Sequence, residues 1–403
     1  MRARQGGPHP PLREIPLKGD KAPRLPPLCP PPPQSPTRSP TLLETPLGCR
    51  SGWCYDELSC YQRSFTTLGS NKTWPGEAAG MGCDPNTLTN SARFFYGDGA
   101  SRSGHRDAPW AVPGNSSQQM YFRGARSFAA GVDLLLKLGM SEAELIVFSG
   151  GSAGGLTVFL HLQGFAQRMR TEAPRARVVG EPVCGFFIDS GNDGYAPANQ
   201  TYPQQMAYVY SMQNTSGSLS PECQAYYGPD EAWKCIMAPY AAPFISTPWF
   251  ALRECAVSAA PQQCSTARTT HLPNPPPHPP HAESRFDKWQ LGEELFMPCM
   301  QAQSYSPPFK PNTCRPADEA NIEAYGPRFM AQFRPLMNAP GTKNGAFLDA
   351  CIIHGSTSSE IDGVTNSQAF AQWLAGGQSW YTMKCGGSDE AGPCDTGKLC
   401  APY

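Results

Sequence analysis

Ser152 has a glycine two residues away on either side, in Gly150-Gly151-Ser152-Ala153-Gly154. A serine in the pattern G-x-S-x-G belongs on a sharp strand-to-helix turn, in a strained backbone conformation that exposes its hydroxyl. The two glycines are expected to give room there, because a Cβ at either place would collide with the neighbouring strand or helix. The N–H of the next residue, Ala153, then points at an oxyanion, and the helix N-terminus adds a positive dipole end. This is nucleophile chemistry, and it needs a base. Among the seven histidines, His9, His271, His278 and His281 fall in proline-rich sequence. His161 follows Ser152 on the same helical segment and is expected at the helix surface. His105 precedes the serine, against the order Ser, acid, His that accompanies this turn. His354 is left, behind the apolar run Phe347 to Ile353 and before Gly355, where a loop-borne histidine belongs.

The acid is not settled by order. Asp189, Asp193, Asp230, Asp287, Asp318 and Asp349 all lie between the serine and the histidine. Asp189 comes one strand too early, and Asp349 is on the strand that carries His354. Asp287 follows the apolar run ending at Leu252, across a proline-rich stretch; it reads equally as a solvent-facing aspartate at a helix start.

These residues must be positioned by strands that alternate with helices. Leu145 to Phe148 reads as a buried strand, with an apolar helix after Ser152. Ser91 to Tyr96, Val183 to Gly191 and Pro243 to Leu252 read as further strands, the second with Asp189 near its end. Phe128, Val132, Leu135 and Leu136 recur at helical spacing in a segment ending at Gly139. The alternation predicts an α/β fold, a mainly parallel sheet flanked by helices in one domain. Residues 1–47 carry 14 of the 44 prolines and show no core-forming pattern. Residues 255–282 read as a low-complexity insertion. Neither stretch is expected to pack against the domain, and deleting 260–282 should leave folding intact. The domain itself is expected over 48–403.

Composition narrows the function classes. The net charge is −1 and 16% of residues are charged, so no basic field is present to hold nucleic acid or a membrane surface. No run of about 18 apolar residues suggests a membrane span. Sixteen cysteines without a single C-x-x-C pair point away from zinc and towards disulfides in an oxidising compartment. Cys54 and Cys60 are spaced for a bridge; Cys223, Cys235, Cys385, Cys394 and Cys400 are further participants. Sequons at Asn71, Asn115, Asn199 and Asn214 agree with secretion. The basic N-terminus lacks the apolar stretch of a signal peptide, and the expectation is that the natural start differs. No cofactor or metal is called for.

Several motifs together resemble the pectin acetylesterase/Notum family of α/β-hydrolases. They are Gly52-Trp53-Cys54, Tyr96-Gly97-Asp98-Gly99-Ala100-Ser101-Arg102-Ser103-Gly104, Phe122-Arg123-Gly124 and the Ser152 turn. Phe187-Ile188-Asp189-Ser190-Gly191, Phe286-Asp287-Lys288-Trp289-Gln290 and Cys351-Ile352-Ile353-His354 follow in the family's order. The resemblance implies a Ser152–Asp287–His354 triad and an oxyanion hole from the backbone N–H groups of Gly52, Trp53 and Ala153. It implies a carboxylesterase acting on an ester partner: O-acetylated polysaccharide such as pectin, or a palmitoleoylated secreted signalling protein. A secreted or cell-wall location and a monomer are expected. Glu44 to Gly52 departs from the family by showing no strand pattern, so N-terminal strands of the sheet are expected to be missing. A catalytically impaired secreted binding domain is the alternative this departure raises.

Overall fold

The computed structural model describes residues 53–63, 81–84, 89–92, 98–112, 115–191, 201–252, 283–284, 286–301, 314–339, 341–352, 354 and 360–383. The proline-rich 1–47, the 255–282 stretch, Gly52, Asp193 and the C-terminal cysteines lie outside them.

Six parallel strands carry the site. β1 (Leu145–Gly151) pairs with β2 (Arg177–Val183) from Leu145↔Arg177 to Gly151↔Val183. Single bridges, Gly180 to Trp249 and Val183 to Leu252, join β2 to β3 (Phe250–Ala251). β4 (Glu283–Ser284) and β5 (Gly345–Asp349) follow, and β6 (Trp380–Thr382) closes the far edge on β5. β1 is only half buried. Ile146 faces the core with Val132 and Phe165, whereas Leu145 and Val147 are exposed, so a short apolar run here marks an alternating strand and not the fully buried one expected. Among the described residues, two antiparallel hairpins, 81–84 with 89–92 and 110–112 with 115–120, stand apart from this sheet.

β3 and β4 are two parts of one line. Phe250 and Ala251 lie opposite Gly345 and Ala346, while Glu283 and Ser284 lie opposite Leu348 and Asp349. Only the rung of Phe347 is left between them, and Leu252 is the residue that falls there. The register therefore runs on from Leu252 to Glu283 as if they were neighbours in the chain.

Helices flank the sheet: α1 (Gly124–Lys137), α2 (Ala153–Glu172), α3 (Tyr202–Met212), α4 (Pro221–Tyr227), α5 (Pro316–Asn338) and α6 (Asn366–Leu374). One hydrophobic cluster reaches from Trp53 to Met383 and holds the central aromatic side chains Trp249, Phe186, Phe250, Phe286, Phe329 and Phe333. Cys54–Cys60 is bridged as expected, with Cα atoms 4.9 Å apart, and Cys223 and Cys235, expected to take part in bridges, pair with each other at 6.0 Å. Cys299–Cys314 is a further bridge that spacing did not single out.

Two strands are shorter than the apolar runs that announced them. The run from Val183 to Gly191 leaves the ladder at Val183, and Cys184 takes a φ of 46°. A Cβ on Gly185 would stand 2.2 Å from the Gly155 carbonyl carbon, so the chain turns aside to pass under α2. Residues 184–188 stay buried without a strand, because burial and strand leave the same apolar signal in sequence. In the run from Pro243, Ala242–Phe244 forms a 3₁₀ turn and the ladder begins only at Phe250.

Candidate active site

Ser152 sits between β1 and α2 with φ 57° and ψ −122°, a region that non-glycine residues rarely occupy. Its own N–H donates to the Val183 carbonyl at 2.8 Å, which pins the turn to the end of β2. A Cβ at Gly150 would lie 2.4 Å from the Gly154 carbonyl oxygen, so that glycine is required by crowding. Gly154 has open space around it, contrary to the expectation for the G-x-S-x-G pattern. The crowded neighbour is Gly155, where a Cβ would be 2.4 Å from the Val183 carbonyl oxygen. Ala153 opens α2 fully buried; a helix has no internal acceptor for the N–H of its first residue.

The structure brings Ser152, His354 and Asp287 together. His354 Nε2 lies 3.1 Å from Ser152 Oγ, and Nδ1 lies 2.7 Å from Asp287 Oδ2. A carboxylate only accepts, so Nδ1 carries the proton and Nε2 is left to accept from the serine hydroxyl. Asp287 is 1% exposed. Its other oxygen accepts the Gln290 N–H at 2.9 Å. Gln290 is clamped in turn: Oε1 accepts from the Ile188 N–H at 3.0 Å and from the Tyr325 hydroxyl, and Nε2 donates to the Phe186 carbonyl. The Trp289 ring stands 6.0 Å from the His354 ring. Phe286 is buried against α5, where Gly326 alone makes room, since a Cβ there would be 2.4 Å from Phe286 Cζ. Gln290 thus holds Asp287 and is itself held by Ile188, Tyr325 and Phe186. Sequence reasoning missed Gln290, although an aspartate three residues before a helix-starting N–H is a legible capping signal.

The other candidates are engaged elsewhere. Asp189 Oδ2 accepts from the Tyr240 hydroxyl at 2.5 Å and Oδ1 from the Gly191 N–H. Asp318 caps α5 and pairs with Arg315, and Asp349 Oδ1 accepts from the Cys351 N–H. His161 is not at the helix surface as expected. It is buried against Phe128, with Nε2 3.2 Å from both the Ser101 carbonyl and Ser103 Oγ. Burial, the largest influence, holds its pKa down at about 4.

Of the three expected oxyanion donors, Gly52 lies outside the described residues, Ala153 directly follows Ser152 at the start of α2, and Trp53 is buried in the core. Trp53 is buried among Phe187 at 4.5 Å, Trp289 at 5.2 Å and Tyr202. Its Nε1–H donates to Ser101 Oγ at 2.7 Å. Ser101 belongs to a tight turn organised by the buried Asp98, whose carboxylate accepts the N–H groups of Ala100, Arg102 and Gly104. Gly99 O accepts from the Cys54 N–H, so this turn also seats the residue after Trp53. The glycine-and-serine-rich motif is therefore a brace for the tryptophan.

Glu294, a few residues beyond Asp287, is 3% exposed, and neither of its carboxyl oxygens has a hydrogen-bond partner. Burial, then the nearby charge of Asp287, pushes its pKa well above the usual carboxylate range. Its protonated form is favoured there.

The chain matches the family model described as Pectinacetylesterase over residues 50–270. It is 26% identical over 313 residues to Pectin acetylesterase 11 of Arabidopsis thaliana, covering 75% of this chain and 68% of that protein. To Pectin acetylesterase 7 of the same plant it is 24% identical, covering 83% and 79%. Its fold is similar to that of the Wnt deacylase Notum from Drosophila, with TM-score 0.58, 20% identity, and 82% and 84% of the two chains covered. Family membership supports ester hydrolysis in general terms. With more than half of its length matched by that model, the chain belongs to the pectinacetylesterase family.

Proposed function

We propose that this chain is a serine carboxylesterase that removes O-acetyl groups from a polysaccharide such as pectin. The observation that carries the reading is the unbroken hydrogen-bond series from Ser152 Oγ through His354 to Asp287. His354 Nε2 takes the hydroxyl proton as Ser152 attacks the ester carbonyl, and Asp287 holds the ring in that tautomer and stabilises the imidazolium. The Ala153 N–H receives the oxyanion, joined in this reading by that of Trp53; one such donor is worth about 3–4 kcal/mol in comparable sites. His354 returns its proton to the departing sugar alcohol. It then activates water, which releases acetate from the serine. The alkoxide never has to form free in solution, because each proton moves over a hydrogen bond already in place.

Acetylated pectin is favoured as substrate by the family model and by relatives named pectin acetylesterases that the chain covers over most of their length. The three disulfides and the further disulfide cysteine Cys351 support folding in an oxidising compartment, and so a secreted protein. We read 48–403 as one such domain, acting as a monomer, with 255–282 inserted in it.

The test is acetate release from O-acetylated pectin and hydrolysis of p-nitrophenyl acetate, with Ser152→Ala as control. The reading expects both activities in the parent and neither in the variant. Activity that survives Ser152→Ala overturns the nucleophile. Cleavage of a palmitoleoylated peptide but not of acetylated pectin overturns the substrate.

A further inference from the structure

Tyr226, the penultimate residue of α4, is the most exposed large hydrophobic side chain among the described residues, with 73% of its surface open. It does not stand alone. Its ring meets Tyr227 edge-on at 5.0 Å and Phe244 at 5.6 Å, and Tyr227 meets Tyr240 at 5.6 Å. Tyr227, Phe244 and Tyr240 are each half buried. The Tyr240 hydroxyl ends the series on Asp189, which directly follows Ile188, whose N–H donates to Gln290, the residue that holds Asp287. An aromatic surface thus runs inward from solvent to the border of the candidate active site. Lys234 stands over it, its Nζ 5.6 Å from the centres of both the Tyr227 and Tyr240 rings and paired with Glu231. The Cys223–Cys235 bridge ties α4 to the segment that carries Lys234, so the rings are positioned before anything binds.

Core packing accounts for Tyr240 and Phe244 but not for Tyr226, which leaves most of a large apolar ring in water. A sugar ring suits it: pyranoses present a flat face of C–H groups to an aromatic ring and keep their hydroxyls at the rim. A uronate carboxylate at that rim complements the Lys234 ammonium. We infer that Tyr226, Tyr227, Phe244 and Tyr240, with Lys234, form a subsite for the sugar rings of an acidic polysaccharide whose ester lies at Ser152. The inference rests on the esterase reading above and adds where the polymer chain lies.

The test separates the two. The full chain carrying Ser152→Ala is run through native gels containing O-acetylated pectin or neutral dextran, alone and with Tyr226→Ala or Tyr226→Trp. Pectin should retard the Ser152→Ala protein. Tyr226→Ala should weaken that binding about fivefold, and Tyr226→Trp should keep it. Equal retardation with and without Tyr226→Ala, or equal retardation by dextran, overturns the subsite even if the esterase proves real. In the active chain, Tyr226→Ala should raise KM for acetylated pectin and leave p-nitrophenyl acetate hydrolysis unchanged. A matching loss on both substrates would mean that Tyr226 acts through the fold, which also overturns the subsite. A parent chain inactive on both esters fails the esterase reading alone, since the gels still decide the subsite.

Discussion

Asp287 and Asp189 each follow an apolar stretch, and their surroundings divide the work between them. Asp287→Asn should leave His354 in the wrong tautomer and lower kcat by about 10³–10⁴, as amide replacement does in comparable triads. Asp189→Asn should cost less than about tenfold, because its oxygens serve Tyr240 and Gly191. Steady-state kinetics on p-nitrophenyl acetate compares the two, and a larger loss at Asp189 would reverse the assignment. His161 adds a pH signature. It stays neutral in the folded chain down to about pH 4, while the unfolded chain takes up its proton near the ordinary histidine value of 6.5. The unfolded state therefore binds more protons at this site between these values, and the contribution of His161 to the unfolding free energy should fall by about 3 kcal/mol as pH drops through that window. Glu294 has the opposite sign: its raised pKa keeps the folded form protonated, so its contribution falls as pH rises through the ordinary 4.5. Urea titrations at pH 7 and pH 5 should show the parent changing more unfavourably on acidification than His161→Gln, because the opposing Glu294 contribution is common to both. At this scale the histidine and the serine were legible from order and from flanking glycines. His161 was not, because nothing in a helix's own sequence says that Asp98 and Ser101, sixty residues earlier, will roof it over.

Among the elements, the split line of β3 and β4 is the feature sequence could only half show. The low-complexity composition of 255–282 gives the expectation of an insertion, but where it would leave and rejoin the sheet is a matter of register, which composition does not encode. Since Leu252 and Glu283 occupy consecutive rungs on β5, deleting residues 253–282 and joining the two should give one continuous strand. The shortened protein is expected to be secreted, folded and active. Near-ultraviolet circular dichroism and p-nitrophenyl acetate hydrolysis check this, and an unfolded or inactive product would show that the register match is accidental. α5 escaped notice for a plainer reason. Gly326, Pro327 and Pro335 interrupt its sequence, and glycine and proline are the residues that normally argue against a helix. Here Gly326 is needed where Phe286 approaches, and tertiary packing overrides propensity.

For the whole molecule, the cysteine count foretold bridging but spacing gave only one pairing, Cys54 with Cys60. Cys299 and Cys314 are 15 residues apart, with other cysteines equally available, so their pairing had to come from the fold. Replacing both Cys223 and Cys235 with serine should lower stability by about 3 kcal/mol, the entropy of a loop of this length. The fall in Tm should be visible by calorimetry, and an unchanged Tm would mean that packing alone holds α4 in place.

The meeting of Leu252 and Glu283 at adjoining rungs also makes this scaffold a place to hang things. Both ends leave the sheet at one point, and Ser284 lies three residues before Asp287. A passenger domain whose own termini lie close together would load the seam without stretching it. One whose termini part by even a single rung would drag the acid away from its histidine. A sensor domain that brings its ends together only around its ligand, grafted between Leu252 and Glu283, would turn an esterase of this design into a reporter that reads a distant concentration as acetate released.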